Sequence, residues 1–369
     1  MRLADLPTPC LVLDRAILAR NLAAMAHAVA RHGVALRPHL KTAKSIDVAH
    51  LALAVPPARG ITVSTLAEAE YFAGHGVTDM LYAVGITPQK LDQVARLNEA
   101  GAAVMVITDD ADMASLISAH PNPPRALIEI DSGEHRGGLG AGDALVPELA
   151  ARLGRSLAGV MTHAGHSYAG RSKAEMVAIA ESERAAITAA AARLAAAGFF
   201  CPIVSMGSSP TALHATHLEG VSEVRAGVYM FGDLFQAGIG THALDDIALT
   251  VLTSVIGRRP REGVVLVDAG GIALSKDRST QAGPRDWGFG QVRDLAGAAS
   301  LGDAVVRAAY QEHGVVQLDP AHPAPDLPIG ARLRIAPNHV CMTAAAHDRY
   351  FVVDGDDVVA AVWPRVNGW

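Results

Sequence analysis

Over its first two-thirds the chain alternates short β-rich runs with longer helical patterns, and this alternation restricts the fold more than any other feature. A CLVLD strand at 10–14 leads into a helix from Arg15 to about His32, where Ile17, Leu18, Leu22, Met25, Ala26 and Val29 make one apolar face. Eight candidate strands follow: VALRP, GITVS, DMLYA, AVMVI, ALIEI, LAGVMT, CPIVS and EVRAGVYM. Helical segments such as AEAEYFAGHG, TPQKLDQVARLNEAG and the run from Lys173 to Gly198 separate most of them. Right-handed crossovers make such strands parallel, and eight of them in about 200 residues favour closure into a (β/α)8 barrel. A doubly wound open sheet is the alternative. No GxGxxG follows the first strand, which counts against a dinucleotide fold.

After about Leu234 the pattern changes. IALTVLTSVIGR, GVVLVDAGG, ARLRIAP, RYFVV and DVVAAVWPRV read as strands with few helices between them, separated by glycine- and proline-rich loops such as 260–263 and 320–330. The expected architecture is a barrel over residues 10–237, followed by a mainly antiparallel β-domain over 238–369 that also takes in residues 1–9.

Composition narrows the function. Of 369 residues 50% are hydrophobic and 18% charged, which excludes a disordered chain. Thirty-one basic against 37 acidic residues give a net charge of −6 with no basic block, so nucleic acid is not an expected partner. The cysteines, Cys10, Cys201 and Cys341, build neither a disulfide framework nor a CxxC site. No apolar run reaches the length of about 18 that a membrane span needs. The start shows no signal-peptide pattern, and the chain reads as cytoplasmic.

In a parallel barrel the reactive groups sit at the C-terminal strand ends. The first strand runs into His39-Leu40-Lys41-Thr42, and the fifth ends at Asp131 with Arg136 close behind. The sixth ends in Thr162-His163-Ala164-Gly165 before Tyr168, and the seventh in Ser205-Met206-Gly207-Ser208-Ser209. The eighth carries Arg225 and Gly227-Val228-Tyr229. Taken singly, a lysine is usually solvated and a glycine usually marks a turn. Together on one rim they suit pyridoxal phosphate: an amine for its aldehyde, small-residue turns for its phosphate and a ring to cover the pyridine.

A second constellation is Pro337-Asn338-His339-Val340-Cys341. On an extended strand end, residues 339 and 341 point to the same face, where an imidazole and a thiolate suit zinc or another divalent metal. Taken alone the pair is weak evidence, and Cys341 reads as a buried structural thiol, the usual fate of a lone cysteine. Tyr310–Gly314 reads as a surface strand end, and the polar stretch from Ser275 to Gly290 fits either a substrate-proximal or a merely exposed loop.

RPHLKTAKS at 37–45, ITVSTLAEAE at 61–70, THAGHSY at 162–168, VSMGSSPTAL at 204–213 and EVRAGVYMFGD at 223–233 resemble the fold-type III pyridoxal-phosphate enzymes. The near relatives are the D-serine dehydratase, D-threo-3-hydroxyaspartate dehydratase and D-threonine aldolase group, which share an alanine-racemase-like barrel with a C-terminal β-domain. The resemblance implies that Lys41 is the Schiff-base lysine and the Cα proton acceptor, and that Lys44 is a structural charge. It implies that His163 stacks on the pyridine, Arg136 approaches the phenolic oxygen and Arg225 meets the ring nitrogen. Gly227, Val228, Ser208 and Ser209 then surround the phosphate, with Tyr168 as a cofactor or substrate contact. His339 and Cys341 become metal ligands, since His-x-Cys is similar to the zinc-dependent dehydratases. A homodimer that converts a β-hydroxy-D-amino acid to a 2-oxo acid and ammonia is the implied protein. A metal-activated aldolase giving glycine and an aldehyde is one alternative, and a non-catalytic cofactor-binding protein is another.

Overall fold

A computed structural model describes residues 1–322 and 326–369, so part of the loop at 320–330 lies outside the described residues. The chain forms two compact units, one of residues 23–227 with 366–369 and one of residues 1–22 with 228–365.

The first unit is the expected barrel. Its strands are β2 (Ala35–Pro38), β3 (Ile61–Val63), β4 (Asp79–Gly85), β5 (Ala103–Thr108), β6 (Ala126–Asp131), β8 (Leu157–Thr162), β9 (Ile203–Met206) and β10 (Glu223–Ala226), with a two-residue β7 (Leu139–Gly140) beside β6. They pair in parallel in the order β2-β10-β9-β8-β6-β5-β4-β3, and a parallel bridge between His39 and Thr62 joins the two ends. Six helices alternate with them: α2 (Ile46–Leu53), α3 (Leu66–Gly74), α4 (Pro88–Glu99), α5 (Ala111–Ala119), α6 (Leu145–Leu153) and α7 (Lys173–Ala196). The short α8 (Ser209–His214) lies between β9 and β10. Helix starts follow their caps: the side chains of Thr65, Asp110 and Ser172 accept the N–H groups of Glu68, Met113 and Glu175. Strand residues are buried on both faces, as parallel strands sheathed by helices require, and Leu81, Met105, Leu127 and Met161 meet in one buried cluster.

One buried ion-pair cluster ties the first strand to its surroundings. Arg37 of β2, 4% exposed, donates Nε to both carboxylate oxygens of Glu223 on β10 at 3.0 and 2.9 Å and Nη1 to Asp79 of β4 at 2.7 Å. Ser205 of β9 donates to the same Glu223 carboxylate at 2.6 Å.

The second unit holds β1 (Cys10–Asp14), β11 (Leu249–Arg259), β12 (Val264–Val267), β13 (Gln291–Arg293), β14 (Val305–Ala309), β15 (Gly314–Gln317), β16 (Arg332–Ala336), β17 (Arg349–Val353) and β18 (Ala361–Pro364). Its short helices are α9 (Leu234–Gly238), α10 (Gly271–Leu274) and α11 (Val340–Ala344), and α1 (Arg15–Ala30) follows β1. The order is β12-β15-β14-β13-β16-β11-β1-β17-β18, and an extra β11–β12 pairing closes the first six into an antiparallel barrel. Two readings of the sequence are corrected here, and three strands are added. The CLVLD strand joins this sheet, antiparallel to β11 and parallel to β17, because a strand's sheet is chosen by long-range pairing that a local pattern does not encode. EVRAGVYM is a strand only to Ala226, since Val228–Met230 coils into a 3-10 turn after Gly227. The short strands β13, β14 and β15 had no clear periodic signal. No helix of the described residues is long and apolar enough to cross a membrane.

Removing one partner of a buried ion cluster leaves the other charge uncompensated, which costs about 3–5 kcal/mol. Arg37→Ala is therefore expected to lower stability in urea by that amount. A loss below about 1 kcal/mol, the range of exposed pairs, would show that Glu223 does not depend on Arg37.

Candidate active site

The two lysines of RPHLKTAKS differ in their surroundings. Lys44 lies 3.2 Å from Glu68, a fully buried carboxylate that also accepts the N–H and hydroxyl of Ser64 at 3.0 and 2.7 Å, so its charge is structural. Lys41, just beyond the end of β2, is exposed and forms no ion pair among the described residues. Its positive charge falls on the rings of His39 and His163.

His163 follows the last residue of β8, and its Nδ1 lies 2.9 Å from the carbonyl oxygen of Gly207 at the end of β9. A carbonyl only accepts, so Nδ1 carries the proton and Nε2 keeps its lone pair. Burial, then the charge of Lys41, pushes the ring's pKa down to about 3, and the imidazole stays neutral across the physiological range. Arg225 of β10, 4% exposed, donates to the hydroxyl of Ser205 and to the carbonyl of Thr162. Burial pulls it below the ordinary arginine value, opposed by the fields of Glu223 and Glu183.

The glycine turns are set by close backbone approach. Gly207 sits at φ +133°, and a Cβ there would lie 2.3 Å from the carbonyl oxygen of Arg225. A Cβ on Gly227 would lie 2.7 Å from the carbonyl oxygen of His39. Ser208 caps α8: its hydroxyl accepts the Thr211 N–H at 3.2 Å and meets the hydroxyls of Ser167 and Thr211 at 2.8 and 3.0 Å. Ser209 is fully buried in the first turn of α8, and Val228 is buried at the start of the 3-10 turn. Tyr168 is half-buried in the turn Gly165–Ala169. Arg136 is exposed, 3.3 Å from Glu134, and its charge also reaches His163.

The residues of this unit fit pyridoxal phosphate. Lys41 is an accessible amine without an ionic partner, beside an imidazole held neutral. Arg225 is a buried guanidinium for the ring, and the turns at Gly207 and Gly227 hold backbone where no side chain fits.

His339 and Cys341 of the other unit, the expected metal pair, are built differently from the expectation. β16 stops at Ala336, and after Pro337 and Asn338 the chain turns into α11, with His339 at its N-cap and Cys341 in its first turn. The pair is therefore a helix-start pair rather than two same-face residues of a strand, because Pro337 offers no N–H to prolong the ladder. The side chains still meet, and the Cys341 sulfur acts directly on the imidazole. His339 Nδ1 donates to Asp277 Oδ2 at 3.0 Å, which leaves Nε2 for a metal. Burial lowers the His339 pKa, but the Asp277 carboxylate and Cys341 outweigh it and raise the ring to about 10. Asp277, held by the Ser279 N–H at 2.7 Å, is correspondingly pushed below the usual carboxylate range by His339. Among the described residues no three His, Cys, Asp or Glu side chains gather as a complete ligand set. Two ligands, one oriented by a carboxylate, fit a metal whose remaining positions stay open. Asp277 escaped the sequence reading because it lies 62 residues from its histidine with no fixed spacing between them.

The rim and the two barrels define an alanine-racemase-like enzyme framework. The model of the alanine racemase N-terminal domain matches residues 13–234, and that of a putative serine dehydratase domain matches residues 248–353. The chain is 44% identical to D-threo-3-hydroxyaspartate dehydratase of Delftia sp. strain HT23, over 100% of this chain and 99% of that protein. It is 33% identical to D-threonine aldolase of an Arthrobacter species, over 98% and 92% of the two chains. A solved D-threo-3-hydroxyaspartate dehydratase, a cysteine-to-alanine variant in the metal-free form, matches with a TM-score of 0.96 at 42% identity over the whole of both chains. The chain belongs to the D-serine dehydratase, D-threo-3-hydroxyaspartate dehydratase and D-threonine aldolase family of fold-type III pyridoxal-phosphate enzymes.

The neutral His163 links the site to stability. Its folded pKa of about 3 lies below the ordinary histidine value of 6.5, so the unfolded chain binds the extra proton first as pH falls. The contribution is complete above 6.5 and declines as pH drops towards 3. The cofactor-free protein should lose stability to urea over that window, and His163→Gln should lose less. Parallel pH profiles for the two proteins would contradict the assignment of a neutral His163.

Proposed function

We propose that the protein is a pyridoxal-phosphate-dependent dehydratase that converts a small β-hydroxy-D-amino acid, D-threo-3-hydroxyaspartate or D-serine, to a 2-oxo acid and ammonia. The observation that carries this reading is the unpaired amine of Lys41 beside a neutral His163, in a chain 44% identical from end to end to a D-threo-3-hydroxyaspartate dehydratase. Pyridoxal phosphate, when bound, supplies an electron sink for the pair left at Cα. Lys41 would hold the cofactor through Nζ until the substrate's own amine displaces it, and the freed Nζ would then take the Cα proton. His163, its Nδ1–H fixed on Gly207, offers an uncharged ring face. Arg225 is assigned to the ring nitrogen and Arg136 to the phenolic oxygen. Gly227, Val228, Ser208 and Ser209 are assigned to the phosphate, the two serines through the start of α8, and Tyr168 to a further contact. A divalent metal on His339 and Cys341, zinc by the softness of the thiolate, supplies a Lewis acid for the departing β-hydroxyl. Asp277 keeps the imidazole in the ligating tautomer. The same reading takes the protein to be a cytoplasmic homodimer.

Borohydride reduction of the purified protein, which should absorb at about 420 nm, should fix the cofactor to one peptide. A labelled peptide without Lys41 would overturn the assignment. Incubated with D-serine, D-threonine and both 3-hydroxyaspartate diastereomers, the protein should release keto acid and ammonia. Glycine and an aldehyde instead would make it an aldolase, and neither product would make it a binding protein.

Chelation should abolish dehydration while the visible absorption of the bound cofactor persists, and added zinc should restore turnover. Asp277→Asn should weaken metal affinity about 10–100-fold, as measured by competition with a chromophoric chelator. A fully active protein containing no metal would rule out the metal's role.

A further inference from the structure

Helix α7 turns an inward stripe of Met176, Ala180, Glu183, Ile187, Ala190 and Leu194, spaced alternately by four and three residues. Glu183 is the one acid in this stripe, and it is fully buried. Its Oε1 accepts two hydrogen bonds, from the hydroxyl of Thr162 at 2.9 Å and from the N–H of Gly207 at 2.9 Å. Its Oε2 is buried with no hydrogen-bond partner. A carboxylate in this position costs desolvation that an apolar residue would avoid, so its retention needs a reason beyond packing.

The reason lies in what the two donors do with their other ends. The carbonyl of Thr162 accepts from Arg225, and the carbonyl of Gly207 accepts from His163 Nδ1 at 2.9 Å. One carboxylate oxygen thus gathers the two backbone segments whose carbonyls hold the two side chains assigned to the pyridine ring. Gly207 has no latitude of its own, because its backbone packs directly on Arg225. The negative charge of Glu183 also opposes the effect of burial on Arg225.

Resting on the functional reading above, we infer that Glu183 is a positioning residue for the cofactor ring: through Thr162 and Gly207 it sets Arg225 and His163 without touching the cofactor. A purely structural acceptor would affect stability alone. A positioning residue affects the bound cofactor.

The test compares Glu183→Ala with Glu183→Gln, in which Oε1 can still accept both hydrogen bonds. Both proteins are stripped of cofactor and titrated with pyridoxal phosphate, and melting temperature, affinity and visible circular dichroism are recorded. Glu183→Ala is expected to bind pyridoxal phosphate at least roughly tenfold more weakly than the wild type, with an altered visible dichroic band. Glu183→Gln is expected to return both readouts towards the wild type. If Glu183→Ala does not fold, Glu183→Asp, with its carboxylate drawn back by one methylene, should show the same losses in weaker form. Wild-type affinity and band shape in Glu183→Ala, or in Glu183→Asp where it replaces that variant, would overturn the inference whatever the melting temperature. So would Glu183→Gln as impaired as Glu183→Ala. A wild-type protein that bound no pyridoxal phosphate would overturn the functional reading as well.

Discussion

The candidate site hangs on the buried charges around Arg37. That residue holds β2 against Glu223 of β10 and Asp79 of β4, and Lys41 follows it by four residues. Glu223 in turn takes the hydroxyl of Ser205, the residue that also receives Arg225. One ionic layer within the barrel therefore registers three strands whose C-terminal ends carry the lysine, the Gly207 turn and the buried arginine. Burying such a layer has no large net benefit over an apolar core. What it adds is register, since a slipped strand would strand a charge.

A further polar layer lies towards the rim, around Thr162, Gly207 and Glu183. It contains no exposed group, yet it fixes the tautomer of His163 and the lie of Arg225. The amine assigned to the cofactor stands apart from this network. Lys41 is exposed and without an ion pair among the described residues, whereas Lys44, three residues on, is committed to Glu68. The division suits a site in which the protein is rigid where it holds a ring and open where it exchanges a covalent partner.

Much of this was legible in the sequence. The eight barrel strands were visible because buried parallel strands are short apolar runs between amphipathic helices, and strand ends then pointed to Lys41, His163, Gly207 and Arg225. His339 and Cys341 were singled out by residue type, but their geometry was misread because one turn of helix replaces the expected strand end. Asp277 and Glu183 were not found. The first sits in a polar loop that local pattern leaves undefined, and the second hides beside Glu175 and Glu181 in an alanine-rich helix, where such an acid reads as solvated. Both meet their partners only through tertiary structure.

The place of β1 bears on how the chain comes off the ribosome. The strand Cys10–Asp14 is made before the whole barrel, yet its neighbours in the sheet are β11 at 249–259 and β17 at 349–353. All eight barrel strands are translated in between and can pair with one another as they emerge. The earlier strand must meanwhile wait, its edge unpaired, until β11 and then β17 have been delivered. Assembly of the β-domain is thus timed by the translation of these later strands, and a nascent chain halted before them would expose that edge.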